Sequence, residues 1–196
     1  MPLYDKLSVI NSALTRTGEN IVGVEGDGSP EWVTTSDAYE TELPLLIEAH
    51  GWGFGKTTAT LVRTGASPIP GFSDRFAKPV GCLHVLQLWV NDLPVDYDLA
   101  DNQIQCSAAG AAPVALFLQR PAAPDQWPEG FVEVLRLRVM SWIYRGLKED
   151  PATAERVYAQ STMMLNEART RATQEVPAKA LRVQRMRIAR NTRRGL

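Results

Sequence analysis

The period of the apolar residues changes twice along this 196-residue chain, and the change limits which folds are open to it. Up to about Gly51, and again from Glu129, apolar side chains recur three and four apart, the spacing of one helix face. Between Phe76 and Leu118 they gather instead into short runs, at 82–90, 104–107 and 114–118. Turn-forming pairs such as Asn91-Asp92 and Asp101-Asn102 separate the runs, a pattern that reads as three or more short strands in a meander. Helical segments on both sides of a strand block imply an α+β fold: a helical bundle core with a small antiparallel β insertion and an extended C-terminal arm.

Leu7, Ile10 and Leu14, closed by Gly18, predict a helix over 4–17. The glycine-rich stretch around Glu25-Gly26-Asp27-Gly28-Ser29-Pro30 places a loop at 21–32. A second helix is expected to start near Ser36 or Asp37 and run through Leu45, Leu46 and Ala49 to Gly51, with Pro44 kinking it. Pro121, Pro124 and Pro128 make a stiff connection into a central helix at 129–148, whose Phe131, Leu135, Val139, Trp142 and Ile143 form a broad apolar face. Asp150-Pro151 restarts the chain as a last helix, to about Thr173, before Val176-Pro177 stops it. The organisation is one domain over 1–178, with its β insertion at about 76–118, and an arm over 179–196.

The arm differs from the body in charge. Residues 179–196 hold seven cations (Lys179, Arg182, Arg185, Arg187, Arg190, Arg193, Arg194) and no acid. Residues 1–178 carry 14 Lys and Arg against all 22 Asp and Glu, a formal charge of −8, which the overall −1 conceals. A terminal run of one sign resists collapse onto a core and suits docking on carboxylates or phosphates. Leu181, Val183, Met186 and Ile188 interleave with the arginines, so the segment is expected to order on a partner by burying them. No stretch approaches the roughly 18–20 apolar residues that cross a bilayer, and the first residues lack a signal peptide's apolar run. Action in a cytoplasm, or in something assembled there, is expected.

Residues able to carry chemistry are few. Gly51-Trp52-Gly53-Phe54-Gly55-Lys56-Thr57-Thr58 ends like a phosphate-binding loop, but His50 stands where the first glycine belongs. A tight turn packing Trp52 and Phe54 on the core is the better reading. His50 is placed at a helix end and His84 as a partly buried strand residue, and no nucleophile–base pattern forms around either. Asp92, Asp96, Asp98 and Asp101 cluster, yet without the glycine and terminal Glu of a calcium loop they read as solvated. Cys82 and Cys106 read as buried reduced thiols. The expectation is a protein that is no enzyme, with no cofactor and no metal.

Three blocks then coincide with one family: Val9-Ile10-Asn11-Ser12-Ala13-Leu14 with Gly18-Glu19; Leu43-Pro44-Leu45-Leu46-Ile47-Glu48-Ala49-His50-Gly51-Trp52-Gly53-Phe54; and, after the sheet-like middle, Trp127-Pro128-Glu129-Gly130-Phe131. In order and spacing over roughly residues 5–173 the chain resembles the tail tubular protein A family, head-to-tail adaptors of tailed bacteriophages, particularly short-tailed ones. The resemblance implies a structural virion protein, made in the host cytoplasm, with about a dozen copies in an oligomeric ring at the head–tail junction. Portal protein lies above the ring, a tail or nozzle protein lies below, and genomic DNA passes through the channel during ejection. An acidic wall would let DNA slide rather than stick. Portal binding is then expected from the arm, through Arg182, Arg185, Met186, Arg187, Ile188, Arg190, Arg193 and Arg194. The alternative reading is a nucleic-acid-binding module that grips phosphates with the same arm.

Overall fold

The computed structural model describes residues 4–120 and 127–175. They form four helices and eight strands, a mixed α+β fold with two small antiparallel sheets.

Local chemistry sets the helix ends. Helix α1 (Lys6–Thr17) begins at a reciprocal cap, in which Ser8 N–H donates to Asp5 Oδ1 (2.6 Å) and Asp5 N–H donates to Ser8 Oγ (3.0 Å). It ends at Gly18, whose φ of 75° is left-handed. Helix α2 (Pro30–Glu48) begins earlier than the expected Ser36 or Asp37. Ser29 Oγ accepts from Trp32 N–H at 3.1 Å and Pro30 takes the first helical position, where a missing N–H costs nothing. Pro44 stays inside α2. Helix α3 (Glu129–Gly146) and helix α4 (Pro151–Glu175) match the expected positions, and Asp150 caps α4 by accepting from Thr153 N–H at its Oδ1 (3.0 Å).

The strands begin at Lys56, well before the expected start near 76, and they do not form a simple meander. Strands β1 (Lys56–Thr60), β8 (Val114–Gln119), β4 (Cys82–Val90) and β5 (Leu93–Val95) make one sheet in that order. The other consists of β2 (Arg63–Ala66), β3 (Asp74–Ala77), β7 (Gln103–Cys106) and β6 (Tyr97–Ala100). Strands β1 and β2, rich in Thr, Arg and Gly, are exposed or half-buried throughout, so no apolar alternation announces them.

Two hydrophobic cores result. Phe76, Ile104 and Cys106 from one sheet meet Val85, Leu88 and Phe117 from the other, and Tyr97 Oη donates across the gap to Val85 C=O at 2.7 Å. The second core lies among the helices, with Ile10, Leu14, Tyr39, Leu43, Ile47 and Phe131 buried. Leu118, at the end of β8, belongs to the helical core, and Leu83 and Leu86 of β4 pack against it. Strand β4 thus has apolar contacts on both faces, which explains its nearly unbroken apolar sequence. His84 is the exception: it sits in β4 but is exposed, not partly buried as expected. Among the described residues no helix is long and apolar enough to cross a membrane.

Candidate functional site

Helix α3 is buried on most of its circumference, including Arg136 and Arg138. A charge held out of water needs a partner, and Arg138 has two. Its Nη1 lies 3.8 Å from Glu42 Oε2 on α2, and its guanidinium sits 3.7 Å from the centroid of the Tyr158 ring on α4. Glu42 is itself buried and accepts from Trp142 Nε1–H at 3.0 Å. These contacts tie the middles of α2, α3 and α4 together.

Beside this tie the space between α2 and α4 stays open. A cavity of about 530 Å³ runs over α3, walled by Thr34 and Glu42 of α2 and by Tyr158 and Ala159 of α4, with Trp142 and Arg145 in its floor. Its surface is mostly apolar, and its volume falls in the range of sites that hold a ligand or a partner's side chains. Leu45, 56% exposed, lies on the same side of α2 as Thr34, since eleven residues return a helix to within about 20° of the same direction. Arg145 is exposed and, among the described residues, has no carboxylate at ion-pair distance.

A second surface feature is the loop between α1 and α2. The Asn11 side chain pairs with both backbone groups of Val22, donating to its C=O (2.9 Å) and accepting from its N–H (2.8 Å). Val22 is buried by this rung, while Ile21 and Val24 on either side are 66% and 69% exposed. Gly26 and Gly28, with φ of 80° and 74°, take backbone conformations that other residues adopt only with strain. The loop is therefore pinned at Val22 and presents two aliphatic side chains to solvent.

The other charged clusters join elements. Glu40 receives Lys6 Nζ at 2.8 Å and the Arg120 guanidinium, linking α1, α2 and the residue that follows β8. Hydrogen bonding from Arg120, then from Lys6, holds the Glu40 carboxyl down at about 2. Glu133 of α3 lies between Arg16 and Arg136.

The segment resembling a phosphate loop is a packing turn. Trp52 is buried, its Nε1–H donates to Leu46 C=O at 2.7 Å, and Phe54 meets Phe131 edge-on with centroids 4.9 Å apart. Lys56 opens strand β1, where a phosphate-binding loop requires a helix. His50 lies in the turn after α2 against the edge of Trp52, and burial, with Arg169 and Lys56 nearby, pushes its imidazole down. Asp92, Asp96, Asp98 and Asp101 are all exposed, and no three metal-ligating side chains are grouped to hold an ion among the described residues. Cys82 and Cys106 are buried free thiols.

The eight arm residues expected to bind portal, from Arg182 to Arg194, lie outside the described residues. In the sequence Trp142 is legible only as part of an apolar face, and Glu42, Arg145 and Tyr158 stand in no motif. One signal was present: Leu135-Arg136-Leu137-Arg138-Val139 sets two arginines inside an apolar helix, and Glu42 lies directly beside Leu43 of α2. A scan against protein-family models and a search of curated proteins both returned no match.

Proposed function

We propose that this chain is a structural head-to-tail adaptor of a tailed bacteriophage, one subunit of a ring, of twelve copies, between the portal and the tail or nozzle. In this reading the four helices are the bundle core, the strands are an insertion, and residues 179–196 are the extended arm that meets the portal. Genomic DNA passes through the ring without sequence-specific binding, and catalysis plays no part.

The observation that carries the proposal is the division of the fold into two hydrophobic cores, one among the helices and one between the sheets, joined through Leu118, Leu83 and Leu86. A joint between two different partners needs two surfaces that stay rigid independently, and separate cores supply that. The order of elements agrees with the resemblance described above, and the −8 charge of residues 1–178 suits a channel that must not hold DNA.

The test is retention by portal particles of the full chain and of a truncation ending at Ala178, with the mass of each complex measured. Retention lost on truncation is expected. Undiminished retention would move the arm's role elsewhere. Failure of both chains to bind, with duplex-DNA affinity that survives moderate salt, would replace the adaptor with the nucleic-acid-binding reading.

A further inference from the structure

We infer that His50, Lys56 and Arg169 form a binding site for a phosphate group, where the turn after α2 meets α4. The inference goes beyond the adaptor reading and stands without it.

Three elements bring these side chains together. On α4, Ala168 lies against Gly130 of α3, where an added Cβ would be 3.5 Å from the Ala168 Cβ. Phe131, next along α3, meets Trp52 edge-on with centroids 5.2 Å apart, and Trp52 meets the His50 ring edge-on at 4.9 Å. Arg169 is thereby carried to the turn. Lys56 reaches it from β1: its Nζ lies 3.6 Å from where a Cβ on Gly51 would stand, so the ammonium rests against the backbone next to His50. Lys56 is exposed and Arg169 half-buried, its Nε closed off from water with no hydrogen-bond partner among the described residues.

Nothing anionic balances the cluster. Among the described residues neither Lys56 nor Arg169 has a carboxylate at ion-pair distance. Glu48 on α2 and Glu167 on α4 are exposed and bridge to no cation there, and Arg171 of α4 adds a further exposed charge. On α3, Glu129 accepts from Tyr4, and Glu133 lies between Arg16 and Arg136. Burial, then the Arg169 and Lys56 charges, push the His50 imidazole down, and no carboxylate opposes them. A phosphate supplies what is missing, since its oxygens accept a fork of bonds from a guanidinium, pair with an ammonium and accept one N–H from an imidazole. The stretch from Gly51 to Lys56 would thus serve a phosphate through side chains on a packing turn, without the helix that a phosphate-binding loop requires.

The chain has two histidines, and His84, exposed on β4, is a built-in reference. Imidazole resonances of the full chain are followed against pH in inorganic phosphate and in sodium chloride of matched ionic strength. Chloride screens Arg169 and Lys56 and so raises the His50 midpoint to some extent by itself. Phosphate is expected to raise it further, because a bound anion favours the imidazolium, while His84 titrates alike in both salts. Lys56→Gln and Arg169→Gln should each weaken the phosphate effect about tenfold in concentration. Lys56→Gln replaces an exposed side chain and keeps the test decisive if Arg169→Gln folds poorly. A short duplex DNA at equal phosphate concentration separates the sources: a further His50 shift assigns the site to a nucleic-acid backbone, and none assigns it to a free phosphate. Reading His50 itself keeps the basic residues 179–196 out of the measurement.

A His50 midpoint that is the same in phosphate and in chloride overturns the inference. So does a phosphate-specific shift that persists unchanged in Lys56→Gln.

Discussion

Glu40 shows how one carboxylate can hold together three segments that the sequence keeps apart. Its neighbours, Lys6 and Arg120, are 34 and 80 residues away. Because Arg120 and Lys6 lower the folded carboxyl from its ordinary 4.5 to about 2, the stability it contributes is complete above 4.5 and is lost as pH falls towards 2. Glu40→Gln is therefore expected to flatten the acid limb of stability in that window, read from urea midpoints taken from neutral pH downward. An unchanged acid limb would show that this cluster, with the Glu40 side chain 43% exposed, is too well hydrated to contribute. At the same scale Arg136 and Arg138 were visible as charges inside an apolar helix, but their partners were not. Trp142 and Glu42 lie 100 residues apart, and no local rule connects them.

At the level of elements, the features legible in the sequence are those whose stabilising groups lie within a few residues of one another. The glycine cap that ends α1 and the Asp150 cap that starts α4 are of this kind. The loop expected at 21–32 puts the start of α2 too late, because the turn-rich composition around Gly26 and Gly28 masks Ser29-Pro30, which opens the helix. The two hairpin turns are local as well. Asn91 and Asp92 have φ of 50° and 63°, and Asp101 and Asn102 have 51° and 57°, the double left-handed geometry of a tight two-residue hairpin. Asp92→Ala is expected to cost about 1 kcal/mol, since alanine has no side-chain hydrogen bond to offset left-handed strain, whereas Asp92→Gly should cost little or nothing. Denaturation of the two variants side by side checks this, and equal losses would refute it.

Across the whole molecule, the two cores differ in size. Among the described residues the cluster between the sheets has ten buried residues and the helical one twenty-one, so the sheets should open at lower denaturant than the helices. Cys82 and Cys106 lie in the smaller core and report on it directly. Burial raises both thiols, Cys106 to about 11, so the reactive thiolate is scarce in the folded protein at mildly alkaline pH. Thiol labelling in urea is expected to rise before the helical circular dichroism falls. Coincident transitions would mean that Leu118, Leu83 and Leu86 couple the cores into one cooperative unit.

The helices, most of their ends and the β character of the middle follow from local sequence alone, because caps, proline positions and apolar period act over only a few neighbours. Tertiary structure alone decided that β8 lies between β1 and β4, and that the buried charge of Arg138 is met by Glu42 and Tyr158. It alone left a groove open between α2 and α4. Strand order, ion pairing and empty space all depend on which distant surfaces come to face each other, and burial of the whole chain selects those pairings together rather than any short segment of it.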